Sequence, residues 1–164
     1  MTSIVMETGA RLRADPAAGR TSPTVSATLE SDRATISSGP FSWAADLALS
    51  IGGTNLAPSP TAYLLGALAA CGVVFLNDTL APEFGVTVRG ITAVASCRAD
   101  LAGLVGIEGA LPDLTGIEIE ITVDTPDPAS TTGPMFDAWE RRCPIDLALR
   151  NPNAVVLRKT TTAS

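Results

Sequence analysis

The sequence predicts one domain in which antiparallel strands are arranged around a single buried apolar helix. Three stretches carry that expectation: residues 58–76 are apolar and helical, residues 24–47 are short β-like runs broken by turns, and residues 117–123 alternate strictly. At 164 residues the chain is long enough for one real core, and no repeat or linker divides it, so residues 1–164 are read as a single domain.

The helix at 58–76 comes first because everything else must cover it. Ser59 is placed to cap its start, its hydroxyl accepting from an N–H of the first turn. Pro60 then falls at the first helical position, where its missing N–H costs nothing. From Ala62 to Leu76 no residue is charged, and Tyr63 alone carries a strongly polar group. A helix apolar on every face has no solvent side. The run is also shorter than the roughly 20 residues that span a bilayer, so it reads as a core helix and not a membrane anchor. Pro82 predicts its end near Thr79 or Leu80.

The remaining elements follow in order. Residues 3–13 are expected as a strand and residues 15–19 as a turn. Residues 24–29, 34–37 and 41–47 read as strands separated by Ser31-Asp32 and Gly39-Pro40, an antiparallel meander. Residues 50–55 form a glycine-rich loop into the helix, without the spacing or the lysine of a phosphate loop. Residues 86–95, rich in β-branched side chains, are expected as a strand, and residues 100–109 as a loop or distorted hairpin. In residues 117–123, Ile117, Ile119, Ile121 and Val123 share one face, while Glu118 and Glu120 share the other as a solvated pair. A second helix is expected from Gly133-Pro134 to Arg142, a short helical piece over 144–149, a last strand over 153–158, and a frayed tail at 160–164.

Composition excludes several classes of function. A net charge of −6 leaves no basic patch for nucleic acid. There is no histidine, which removes histidine-based triads, imidazole general bases and histidine metal ligands. No cofactor or metal is expected. Charged residues are only 17% of the chain, which favours a homodimer that hides part of the surface. Residues 1–9 lack the pattern of a signal peptide, and three scattered cysteines are no secretory disulfide framework, so a cytoplasmic protein with reduced thiols is expected.

The cysteines are Cys71, Cys97 and Cys143. Cys71, inside the apolar helix, reads by itself as a small core residue, and an unassisted buried thiol is inert. Cys143 directly precedes Pro144, which puts it at the N-cap of a helical turn, facing unpaired N–H groups, with Arg141 and Arg142 adjacent. Those features favour thiolate; a capping cysteine without chemistry remains the other reading. Trp139, one turn before Cys143, is placed to wall an apolar pocket beside the sulfur. Cys97, next to Arg98 near a strand end, reads as incidental.

Taken together, Gly-Gly-Thr-Asn (52–55), Pro-Ser-Pro (58–60), Leu-Leu-Gly-Ala-Leu-Ala-Ala-Cys (64–71), the β segment after Gly85, the alternating strand and Arg-Cys-Pro-Ile (142–145) resemble the OsmC/Ohr family of small peroxide-reducing proteins. The resemblance runs from about Phe41 to Arg158, with residues 1–24 matched loosely. It implies an α+β fold built as an intertwined homodimer, two long helices packed together with antiparallel sheets around them. It implies that Cys71 and Cys143 are the working pair. Cys71 would attack a hydroperoxide and become a sulfenic acid, Cys143 would close a disulfide, and an external dithiol would restore both. Phe41, Trp43 or Trp139 would line a pocket favouring organic peroxides. The family pattern also has a glutamate at the start of the long helix that holds an arginine over the reactive thiol. Thr61 and Ala62 stand there instead. Arg33, or else Arg20, is the expected arginine, with Asp137 or Glu140 as substitute carboxylates. The missing glutamate leaves a second expectation open, a non-enzymatic small-molecule-binding or redox-sensing dimer of the same fold. Neither reading involves a membrane or nucleic acid.

Overall fold

The computed structural model describes residues 4–151 and 155–161. Within them the chain is α+β. Helix α1 (Ile4–Ala14) leads through a tight turn into a meander of three antiparallel strands, β1 (Ser26–Glu30), β2 (Arg33–Ser38) and β3 (Phe41–Ala45). Helix α2 (Pro60–Phe75) continues through a wide turn at Leu76–Leu80 into α3 (Ala81–Phe84). Strand β4 (Gly90–Arg98), the short α4 (Leu101–Leu104) and β5 (Thr115–Asp124) form an antiparallel hairpin. Helices α5 (Ala129–Arg142) and α6 (Pro144–Arg150) close the described fold.

The start of α2 follows from its sequence. The Ser59 hydroxyl accepts from the Ala62 N–H at 3.2 Å, and Pro60 occupies the first turn. Its end does not. Pro82 was expected to stop the helix near Thr79 or Leu80, but helical structure runs on to Phe84. The wide turn explains this: the Ala81 N–H donates to the Leu76 carbonyl five residues back, and the extra residue makes room for a proline ring that a regular helix would not admit. Gly85, at φ +67°, then terminates the run. The whole run, Pro60–Phe84, is 25 residues, long and apolar enough to cross a membrane by length and composition, which the shorter expected helix was not.

Along α2, Leu68 and Gly72 are buried, followed by Leu76, Leu80 and Ala81, and they pack with Met135, Ala138 and Trp139 of α5. The inner face of the hairpin supplies Ile91 and Ala95 from β4 and Ile117, Ile119, Ile121 and Val123 from β5. Glu118 and Glu120 point outward, as the alternation requires. Gly72 is the point of closest approach: a Cβ there would lie 3.1 Å from Ile121, 3.2 Å from Ile119 and 3.3 Å from Ala93.

The meander is joined to α2 by a polar clasp. Asp46, 6% exposed, accepts from the N–H of Leu47, Thr54 and Leu56, and from the Thr54 hydroxyl at 2.6 Å. The Tyr63 hydroxyl donates to the Ala44 carbonyl at 2.5 Å. Gly53 lies so close to Leu47 that a Cβ would fall 2.0 Å from its carbonyl oxygen. The glycine-rich loop is therefore a folded plug around one carboxylate. The Thr54 hydroxyl first, then the Leu56 N–H, holds Asp46 well below the usual carboxylate range.

Three other expectations are corrected. Residues 3–13 are helical where described, not a strand. The β-like stretch after Gly85 pairs only from Gly90, because residues 86–89 lead away from the helix end. The last strand, expected over 153–158, is not formed by residues 155–158, which have no regular structure; residues 153 and 154 lie outside the described residues, as do 162–164 of the tail.

Two stability measurements follow. Gly72→Leu overfills the contact with β4 and β5 and is expected to cost on the order of 1–3 kcal/mol, read as a lower urea midpoint; an unchanged midpoint would show that the interface yields. Asp46 is depressed, so its contribution is present at neutral pH and is lost as pH falls below the ordinary carboxylate range toward the folded value. Asp46→Asn is expected to lower the neutral melting temperature and flatten its acid dependence.

Candidate functional site

α5 ends at Arg142 because Pro144 cannot continue it, and Cys143 becomes at once the end of α5 and the N-cap of α6. The Cys143 N–H donates to the Trp139 carbonyl at 2.8 Å, and its sulfur accepts from the Asp146 N–H at 3.5 Å. The break aims this sulfur at α2. Cys143 is fully buried, and its Sγ lies 2.9 Å from Cys71 Sγ, a thiol–thiol hydrogen bond between residues 72 apart in sequence. Trp139 is buried beside them, and its Nε1 donates to the Cys71 carbonyl at 3.3 Å.

Burial first, then the hydrogen bond and charge of Cys143, push the Cys71 thiol up to about 12. A backbone contact with Ile145 pulls the other way, and the Asp146 carboxylate adds to the rise. Arg142, expected to favour thiolate at Cys143, is engaged elsewhere: it bonds both carboxylate oxygens of Glu83 at 2.8 and 2.9 Å and lies over the Phe75 ring, 5.7 Å from its centre.

The other candidates are placed as follows. Arg33 opens β2 and lines a hollow of about 290 Å³ with Leu29, Asp46 and Pro60, on the meander and not at the sulfurs of its own chain. Arg20 follows the turn after α1 and is exposed. Phe41 is 70% exposed on β3, with Trp43 in the same strand, so Trp139 is the aromatic residue that this chain brings to the thiols. Asp137 and Glu140 are exposed on α5. Cys97 is half-buried on the inner-facing row of β4, at the register shift between Ser96 and Arg98.

Two grooves lie beside β5 and α6, and neither has Cys71 or Cys143 among its walls. One, about 470 Å³, is walled by Ile119, Ile121, Phe136 and Trp139; the other, about 330 Å³, by Leu68, Leu114, Ile117 and Leu149. Asp146 and Arg150 line both. Neither residue was singled out from the sequence, although their spacing of four within a helix starting at Cys-Pro was a usable signal. Among the described residues no group of histidine, cysteine, aspartate or glutamate side chains has the arrangement to hold a metal.

The OsmC-like protein family matches residues 53–158, from the glycine-rich loop past the Cys-Pro break. The chain belongs to the OsmC-like family. Its fold is similar to that of an OsmC-like protein from Mycoplasma pneumoniae, at 22% identity and a TM-score of 0.66, covering 79% of this chain and 88% of that one. It also resembles an OsmC-like protein of unknown function from Vibrio cholerae (12% identity, TM-score 0.55, 77% and 92% covered). An organic hydroperoxide resistance protein OsmC from Legionella pneumophila is similar at 13% identity and a TM-score of 0.52, with 79% and 90% covered. No curated protein sequence matches the chain.

The raised Cys71 thiol has a consequence for stability. Between pH of about 9 and about 12 the unfolded chain has released this proton and the folded chain still holds it, so stability falls as pH rises through that window. Cys71→Ser is expected to remove that part of the fall. Urea midpoints of the two reduced proteins, compared at neutral pH and at pH of about 10.5, test it; curves that stay parallel would count against the shift.

Proposed function

We propose that this protein reduces organic hydroperoxides with Cys71 and Cys143, as a homodimer. The observation that carries the reading is the 2.9 Å approach of the two sulfurs, with Trp139 buried beside them. Cys71 loses its proton and its sulfur attacks the O–O bond. The bond breaks, the alcohol leaves with a proton, and Cys71 becomes a sulfenic acid. Cys143 then attacks that sulfur, water leaves, and a disulfide forms. An external dithiol takes up the two oxidising equivalents by exchange and restores both thiols. The hydroperoxide resistance protein of like fold from Legionella pneumophila supports the substrate class.

Assembly is supported by exposed surface. The chain exposes 11858 Å², where a compact monomer of its mass would expose about 7,600 Å². Along α2, Ala62, Gly66, Ala70 and Val74 form an exposed stripe in the middle of an otherwise apolar helix. Leu29, Phe41, Leu49 and Leu56 are exposed on the meander and its loop. A second copy covers such surfaces. Arg33 enters the reading only through assembly, with the meander of one copy laid over the thiols of the other.

One equivalent of cumene hydroperoxide is expected to consume the thiols of Cys71 and Cys143 and leave Cys97 free, with a Cys71–Cys143 disulfide found by peptide mass mapping. Cys143→Ser is expected to stop at a sulfenic acid that dimedone traps. Full alkylation of both thiols after peroxide would sink the proposal. Sedimentation is expected to give a dimer; a stable monomer would remove the assembly.

A second reading, a binding dimer without turnover, is favoured by the raised Cys71 thiol and by Thr61 and Ala62 at the helix start. It predicts stoichiometric stabilisation by an apolar ligand that Cys71→Ser leaves intact.

A further inference from the structure

Asp146 and Arg150 form an ion pair one turn apart on α6, Nη2 to Oδ2. Arg150 Nη2 also donates to the Glu140 carbonyl near the end of α5, at 2.8 Å. The Asp146 side chain is 13% exposed and that of Arg150 is 52% exposed, so the carboxylate faces inward and the guanidinium closes it off from solvent. The pair lines both grooves, and the Asp146 N–H donates to Cys143 Sγ, which itself lies 2.9 Å from Cys71 Sγ.

The charges around Cys71 can be stated element by element. α6 presents Asp146, with Arg150 bound to it. The break before α6 presents Cys143. α5 presents Trp139, with Glu140 on the groove rim. The inner faces of β4 and β5 present uncharged Ala93, Ile119 and Ile121. Asp146 is thus the ionised side chain that opposes negative charge on Cys71, and Arg150 is the cation that offsets it. A half-buried carboxylate is screened much less than a surface one, so neutralising it matters at short range.

We propose that Arg150, through its ion pair with Asp146, is the positioning residue that sets the reactivity of Cys71. It acts by compensating the Asp146 carboxylate, on the residue whose N–H binds the neighbouring Cys143 sulfur. Its meaning for turnover rests on the reading of Cys71 as the attacking thiol; its effect on the thiol does not.

The test is the rate of iodoacetamide labelling of each cysteine in the full, reduced protein, resolved by peptide mass mapping across neutral to alkaline pH. Arg150→Gln leaves Asp146 uncompensated and is expected to slow Cys71 labelling by about threefold or more and move its profile to higher pH. Asp146→Asn is expected to speed labelling by a similar factor, the double variant to follow Asp146→Asn, and Arg150→Lys to stay near wild type. Cys97 is the internal control. Loosened packing would speed labelling in both single variants and at Cys97; that result, or two unmoved profiles, overturns the proposal. Opposite shifts in a protein inert to peroxide support the pairing and defeat only the peroxidase reading. A disulfide formed by peroxide with unmoved labelling profiles does the reverse.

Discussion

The contact between Cys143 and Cys71 depends on one backbone event, the break that Pro144 imposes between α5 and α6. Without it α5 would run on and Cys143 would be one more residue on a helix face. The break turns its sulfur toward α2 and leaves the Asp146 N–H to bind it. Trp139 braces the same junction from both sides, its carbonyl accepting from Cys143 and its indole donating to the Cys71 carbonyl. The thiols meet because two helices and a ring are held to one another by directed bonds, with buried Met135, Ala138 and Leu68 filling the space around them.

The opposing requirement is burial. The site excludes water well enough to bring two sulfurs together, and the same exclusion raises the Cys71 thiol, because a thiolate there would lose its hydration. Any chemistry at Cys71 therefore needs compensating charge close by. Arg142, the neighbour in sequence, is committed to Glu83 and Phe75 and stiffens the α3–α5 contact instead. Arg150 is held by Asp146, whose N–H binds the Cys143 sulfur. The seven residues of α6 thus carry both the N–H that binds the Cys143 sulfur and the Asp146–Arg150 ion pair.

Between the N-terminal and C-terminal parts of the chain, the linkage is polar and local. Asp46 gathers the loop before α2 and Tyr63 ties α2 to β3, while the apolar core is built from α2, α5 and the β4–β5 hairpin. The meander contributes no residue to that core among those described; β1 is exposed along its length, while β2 and the end of β3 are partly covered.

Local order was legible in the sequence wherever a residue acts on its immediate neighbours. Ser59-Pro60 determined the start of α2, Cys143-Pro144 the break and its cap, Ser31-Asp32 the first turn of the meander, and the alternation at 117–123 the inner face of β5. The family resemblance added the pairing of Cys71 with Cys143, which spacing alone left open. What the sequence did not determine depends on space. Pro82 is carried through by a wide helical turn, residues 4–14 are helical despite a weak pattern, and Asp46 is satisfied by N–H groups eight and ten residues on. Which charges reach Cys71 was likewise decided by tertiary structure. Electrostatic influence follows distance and burial, so Arg142, one residue from Cys143, is spent on Glu83, while Asp146, more than seventy positions from Cys71, acts on it.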